Sequence, residues 1–161
     1  MKRFLALLLL TLTIILSNCN MQTEEELKDW YNLNSDYIPN ELKNLNWNND
    51  TDNSSIIVHN YVVAHFTYVE YANEFHSAEQ TLEEKKGNCA NLSLVELALV
   101  NYLSNGKVQG KLIYCYVIDP IQSGLHYTPE FNNDIMMKKY ITAIYDIVDF
   151  NNIGNYIYFR Q

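Results

Sequence analysis

The sequence is poor in three kinds of residue, and each shortage excludes a class of protein. Its 161 residues include only 5 glycines and 3 prolines, too few for a collagen-like or low-complexity chain. Lys and Arg total 11 against 19 Asp and Glu, so the chain lacks the basic footprint that nucleic-acid binding needs. The same negative balance disfavours electrostatic docking on anionic lipid.

Metal-ligand motifs are missing as well. The sequence contains no His-Glu-x-x-His motif and no closely paired cysteines. His59 and His65 lie six residues apart, a spacing that does not place two side chains on one helix face. We therefore expect neither a metal ion nor an organic cofactor.

The residues that are present favour one folded domain that contains both helices and strands. Hydrophobic residues make up 48% of the chain and there are 13 tyrosines, a composition unlike that of disordered proteins. The length suits a single domain with a real hydrophobic core. We expect the α+β class, with helices first in the chain and an antiparallel sheet after them.

The N-terminus has the pattern of an export signal. Lys2 and Arg3 precede an apolar run from Phe4 to Leu16, too short to span a membrane comfortably. The following Leu-Ser-Asn-Cys segment, which ends at Cys19, resembles the lipobox of bacterial lipoproteins. The resemblance implies a lipid on Cys19 that makes the membrane a partner. An ordinary secretory peptide with an incidental cysteine is the alternative.

The lipoprotein resemblance also implies a location and a division of the chain. We expect the cell envelope, and the outer membrane or cell surface rather than the inner membrane, because Asn20 is not an inner-membrane retention Asp. Residues 1–18 are the predicted signal peptide. Residues 19–53 are the predicted lipidated tether with a short helical arm, and residues 54–161 are the predicted folded domain.

Hydrophobic periodicity predicts the elements of that domain. Ile56 to Tyr71 fits a helix or a strand, and we favour a helix. Apolar residues at helical spacing predict a central, mostly buried helix from Cys89 to Leu103, which Asn105-Gly106 ends. Asn132-Asn133-Asp134 is a predicted hairpin turn. Four runs have strand character: Lys111–Asp119, Leu125–Phe131, Tyr140–Asp146 and Tyr156–Phe159.

Three residues form a candidate catalytic group. A cysteine at the start of a buried helix, as Cys89 is, has its thiolate stabilised by free N–H groups and the helix dipole. His126 begins a predicted strand and can act as the base, while Asp146 ends the next and can orient the imidazole. Nucleophile, base and orienter are the groups that thiol catalysis needs. Cys115 lies inside a strand and is predicted to be a core residue.

In these residues the chain resembles the transglutaminase-like superfamily of papain-like cysteine enzymes. The resemblance covers about Ile56 to Asp149. It is carried by short motifs in the family's order: Thr81-Leu82, Gly87-Asn88-Cys89, the helix Leu92 to Gly106, the strand Leu112 to Ile118, His126, and Tyr145-Asp146.

The resemblance implies a papain-like, transglutaminase-core fold in which the helix that begins at the cysteine packs on an antiparallel sheet. It also implies that Cys89 is the nucleophile, His126 the base and Asp146 the orienter in acyl transfer through a thioester. The acceptor is water in peptidases and amidases, which are hydrolases, or an amine in transglutaminases. The substrate is then a peptide or protein.

Three departures from the family pattern keep alternatives open. Tyr127 follows the histidine where the family often has alanine, and Phe75 and His76 lie where a tryptophan is common. Ile147 follows Asp146 in place of proline, so Asp149 is a second candidate for the orienter.

The sequence therefore supports three hypotheses about function. The first is a lipid-anchored cysteine peptidase or amidase that acts on amide bonds in the cell envelope. The second is an inactive transglutaminase-like lipoprotein with a binding or structural role. The third is an adhesin-like domain in which a disulfide joins Cys89 and Cys115.

Overall fold

A computed structural model describes residues 31–47, 51–70, 76–108, 110–118, 123–131, 134–135 and 138–149. These residues contain three α-helices, α1 (Thr51–His65), α2 (Ala78–Glu84) and α3 (Cys89–Leu103), and two short 3-10 helices, Ser35–Tyr37 and Lys138–Tyr140. They also form two sheets from six strands: β1 (Thr67–Tyr68), β2 (Lys86–Gly87), β3 (Gly110–Ile118), β4 (Ser123–Phe131), β5 (Asp134–Ile135) and β6 (Ile141–Asp149). The predicted signal peptide, Cys19, the predicted helical arm and the predicted strand Tyr156–Phe159 lie outside the described residues.

Helix α3 is the central element, and its bounds confirm the prediction from hydrophobic spacing. It is buried on nearly all sides, and its buried apolar residues are Ala90, Leu94, Val95, Leu97, Ala98, Leu99 and Val100. Gly106 follows its end with a φ of 72°, a left-handed conformation that glycine adopts without steric cost. No helix in the described ranges is both long and apolar enough to cross a membrane.

The larger sheet has the strand order β5-β4-β3-β6, and every neighbouring pair is antiparallel. Leu112 on β3 and Phe131 on β4 belong to the same core cluster as α3, so this sheet face packs on the helix. Gly110 allows the close approach, since a Cβ there would lie 2.5 Å from the Cδ2 atom of Leu97. The alternate β3 residues Ile113, Cys115 and Val117 form a second buried cluster, as the two-residue side-chain period of a strand requires.

Two short features between α1 and α3 differ from the sequence-based expectation. The predicted helix over Ile56–Tyr71 is present as α1, but it begins earlier and ends at His65. The two-residue strand β1 then pairs in parallel with β2. Helix α2 occupies a polar stretch for which hydrophobic spacing predicts no element. Its sequence signal is Ser77, whose side chain accepts a hydrogen bond from the Gln80 N–H and caps the helix.

The hydrophobic core also includes residues before residue 54, which is the predicted start of the folded domain. Tyr31, Ile38, Leu42 and Trp47 are buried in the same cluster as α3. These apolar residues are separated by polar, Asn-rich segments, so no helical or strand period marks them. Their burial depends on the surface that the rest of the domain offers.

A buried acid–base pair joins α1 to α3. The His59 Nδ1 atom lies 3.0 Å from each carboxylate oxygen of Glu96, and the Glu96 residue is only 4% exposed. The hydrogen bond to Glu96 raises the pKa of His59, and burial raises the pKa of Glu96. Both shifts make the folded protein bind protons more tightly than the unfolded chain does.

This pair predicts how stability depends on pH. The stabilisation is complete below the ordinary histidine pKa of about 6.5 and is lost as the pH rises through the raised pKa of His59. We expect the free energy of unfolding of the wild type to exceed that of Glu96→Gln by more at pH 6 than at pH 9. Chemical denaturation at both values measures this difference. Glu83→Gln, which removes an exposed carboxylate, is the matched control, and an equal difference for Glu96→Gln at both pH values would contradict the prediction.

Candidate active site

The chain enters α3 through a tightly packed turn. A Cβ on Gly87 would lie 2.7 Å from the Asn91 Cβ atom, so only glycine fits there without a shift. Asn88 caps the helix through a reciprocal pair of hydrogen bonds: the Asn91 N–H donates to Asn88 Oδ1 at 3.0 Å, and the Asn88 N–H donates to Asn91 Oδ1 at 3.3 Å. This capping box fixes the start of the helix, and with it the position of Cys89.

Cys89, the first residue of α3, meets strand β4. Its side chain is half-buried and its thiol is free. Burial raises the pKa of the Cys89 thiol, while the backbone N–H groups of Tyr127, Ala90 and Cys89 itself act in the opposite direction. One helical turn further on, the Ser93 hydroxyl donates to the Tyr127 carbonyl at 3.1 Å. Helix and strand are thus joined on both sides of the Tyr127 peptide unit.

His126 is the residue directly before Tyr127, so the structure brings Cys89 to the backbone beside the predicted base. The His126 side chain is half-buried. In the β3–β4 register His126 lies opposite Cys115, so these two side chains share a face of the sheet, while Tyr127 belongs to the face that packs on α3. The Cys115 thiol donates to the His126 carbonyl at a sulfur–oxygen distance of 3.6 Å. Tyr127 lies opposite Tyr114 in the next row.

The strand register gives the backbone position of Asp146, which lies neither on a strand next to β4 nor in the row of His126. On β6 it pairs with Tyr114, and Tyr114 pairs with Tyr127 on its other side. The backbone therefore places Asp146 in the row of Tyr127, two strands away. The side chains of Asp146 and Asp149 lie outside the described residues, and so does Cys19. The triad of Cys89, His126 and Asp146 stays a prediction.

The two cysteines of the domain differ in role. Both Cys89 and Cys115 are free, so the structure does not have the disulfide of the third hypothesis. Cys115 is fully buried between Ile113 and Val117 on the far face of the sheet. This confirms the prediction that Cys115 is a core residue.

Three tyrosines of the larger sheet lie together, and two of them, Tyr127 and Tyr145, are named in the sequence analysis. Tyr114 and Tyr127 stack with ring centroids 4.6 Å apart, and Tyr145 lies 5.9 Å from Tyr114. Cross-strand aromatic pairs of this kind stabilise the packing of a sheet. Tyr68 on β1 pairs with Gly87, two residues before Cys89, and burial, followed by the charge of Cys89, raises the pKa of its phenol.

Metal-binding groups are not part of this arrangement. Over the described stretches, no three or more His, Cys, Asp and Glu side chains are arranged to hold a metal ion.

The close packing at Gly87 gives a testable prediction. Gly87→Ala puts a methyl group against the Asn91 Cβ atom, and overpacking of this kind costs about 1–3 kcal/mol of unfolding free energy. Chemical denaturation measures the loss. Gly124→Ala is the control, because nothing lies within 4 Å of a Cβ at that position, and it should change the stability by no more than about 0.5 kcal/mol. Equal stabilities of the two variants would refute the packing argument.

Comparison with known proteins adds one structural likeness. No family model and no curated protein matches the chain. The structure is similar to a crystal structure of a candidate cysteine protease from Cytophaga hutchinsonii, with a TM-score of 0.44 and 15% sequence identity. The alignment covers 75% of this chain and 44% of that one, so this chain spans less than half the length of that protein. A likeness at this level does not establish membership of a family.

Proposed function

We propose that this chain is a thiol acyl-transfer enzyme of the transglutaminase-like kind, a cysteine peptidase or amidase. Cys89 is the nucleophile, His126 the base and Asp146 the group that orients the base. The observation that supports this most directly is that the start of α3 meets β4 at Tyr127: the Ser93 hydroxyl donates to the Tyr127 carbonyl at 3.1 Å, and the Tyr127 N–H acts to lower the pKa of the Cys89 thiol. It brings the first residue of α3 to the backbone of the residue that follows His126.

The proposed reaction needs only groups of the protein and water. The His126 imidazole takes the proton of the Cys89 thiol while the sulfur attacks the carbonyl carbon of an amide. The C–N bond then breaks, and the imidazolium gives its proton to the departing amine. Water loses a proton to His126 as it attacks the thioester. The acid leaves and the thiol is restored.

The anchor is part of the proposal. A lipid on Cys19 would hold the domain at a membrane of the cell envelope, where its substrates would be amide bonds of peptides or proteins. The support for this is the apolar run and the Leu-Ser-Asn-Cys segment of the N-terminus. A cysteine that carries more than one acyl chain gives firm anchoring.

A second candidate function has its own support. Burial raises the pKa of Cys89, so in the free protein the thiol is protonated near neutral pH. A domain that kept the fold but lost the base would have this property. It would be a binding or structural lipoprotein.

Alkylation of Cys89 separates the two candidates. A thiol with the ordinary pKa of about 8.5 is only about 1% ionised at pH 6.5, so pairing with His126 should raise the rate with iodoacetamide by about tenfold or more at that pH. We expect His126→Ala to remove this increase. The full chain is alkylated at a series of pH values, and peptide mass spectrometry measures the rate at Cys89 separately from the rates at Cys19 and Cys115.

The matched control is His65→Ala, since His65 lies at the end of α1 with its Nδ1 atom on the Tyr61 carbonyl. This variant should keep the wild-type alkylation profile. If the wild-type rate rises only above about pH 8.5 and is the same in His126→Ala, the enzyme proposal is contradicted. That result would favour the binding or structural lipoprotein.

A further inference from the structure

Strand β1 places Tyr68 opposite the segment that leads into α3 and Cys89. The Thr67 N–H donates to the Lys85 carbonyl at 2.9 Å, and the Val69 N–H donates to the Gly87 carbonyl at 3.0 Å. These two hydrogen bonds lie on either side of Tyr68. In the parallel register Tyr68 pairs with Gly87. Gly87 is only two residues before Cys89, so Tyr68 is fixed against the segment that leads into α3.

The Tyr68 hydroxyl can donate a hydrogen bond to a ligand. The Tyr68 residue is 56% exposed, and in the part of the chain that the structure describes no hydrogen-bond partner reaches its hydroxyl. The hydrogen bonds that act on the Cys89 sulfur come from backbone N–H groups. Burial first, and then the charge of Cys89, raises the pKa of Tyr68, so the phenol keeps its proton near neutral pH and can donate it in a hydrogen bond.

Attack of Cys89 on a carbonyl creates a need for such a donor. The tetrahedral intermediate carries a negative oxygen, which enzymes of this kind stabilise with preorganised hydrogen-bond donors. The start of α3 offers the N–H groups of Cys89 and Ala90, because the capping box already uses the Asn91 N–H. A side-chain donor that reaches the same oxygen would complete the set.

We propose that the Tyr68 hydroxyl is this donor and hydrogen-bonds the oxyanion formed when Cys89 attacks a carbonyl carbon. The inference rests on the proposed function of Cys89. It makes Tyr68 a catalytic residue that contacts the substrate. Its role is distinct from that of His126, which takes the thiol proton of Cys89. It also gives a role to β1, which is only two residues long and contributes little to the core.

Two reactions of the same sulfur test the proposal in the full chain. In the first, Cys89 attacks p-nitrophenyl acetate: the sulfur–carbon bond forms, p-nitrophenolate leaves, the thiol proton is lost to His126, and a negative oxygen appears in the intermediate. In the second, Cys89 displaces iodide from iodoacetamide at a saturated carbon, where no such oxygen forms. Only the first reaction should depend on an oxyanion donor.

We expect Tyr68→Phe to slow acetylation of Cys89 by about tenfold or more, since loss of one oxyanion donor typically costs about 10²–10³ in kcat. Alkylation by iodoacetamide should be unchanged. Release of p-nitrophenolate measures the rate of acetylation. Peptide mass spectrometry confirms that the acetyl group is on Cys89 and measures the rate of alkylation there. The control is Tyr102→Phe, a half-exposed tyrosine thirteen residues further along α3, about 20 Å away at 1.5 Å per residue.

The outcomes separate this inference from the proposed function. If the wild type is acetylated at Cys89 and Tyr68→Phe matches it, the oxyanion role is wrong and the enzyme proposal stands. If Tyr68→Phe slows both reactions equally, Tyr68 acts on the thiol itself and the oxyanion role is again wrong. If the wild type is not acetylated at Cys89, both proposals fail together.

Discussion

Burial of α3 is the constraint on which the rest of the described structure depends. Residues on nearly every side of this helix are buried, which requires helices on one side and the antiparallel sheet on the other. Each polar group of the helix must then find a partner, because an unpaired buried polar group costs about 1–3 kcal/mol. The Asn88 cap and the contact of Glu96 with His59 satisfy this requirement at the start and in the middle of α3.

The same burial sets up a competition at Cys89. Loss of water around the sulfur disfavours the thiolate, while the N–H groups of the helix start and of Tyr127 favour it, and in the free protein burial has the larger effect. A base beside the thiol therefore matters more here than it would for a preformed thiolate. This is why the functional proposal depends on His126, and why the helix start is not sufficient by itself.

Elements with strong local signals were predicted well. The bounds of α3 follow from the spacing of Val95 and Leu99 and from the stop at Asn105-Gly106, and β3 and β4 lie within a few residues of the predicted runs. Helix α2 has a polar sequence with no apolar period, so its signal is limited to the Ser77 cap at its start. The parallel pair of β1 and β2 was missed because two residues are too few for any pattern.

The sequence by itself determined the class of fold, the position of Cys89 at a helix start and the core character of Cys115, since each of these follows from local spacing and composition. The tertiary structure decided which residues meet. The contact of Cys89 with the Tyr127 N–H, the pairing of His59 with Glu96 and the position of Tyr68 beside Gly87 all join residues far apart in the chain. Such contacts depend on register and on packing between elements, and neither leaves a period in the sequence.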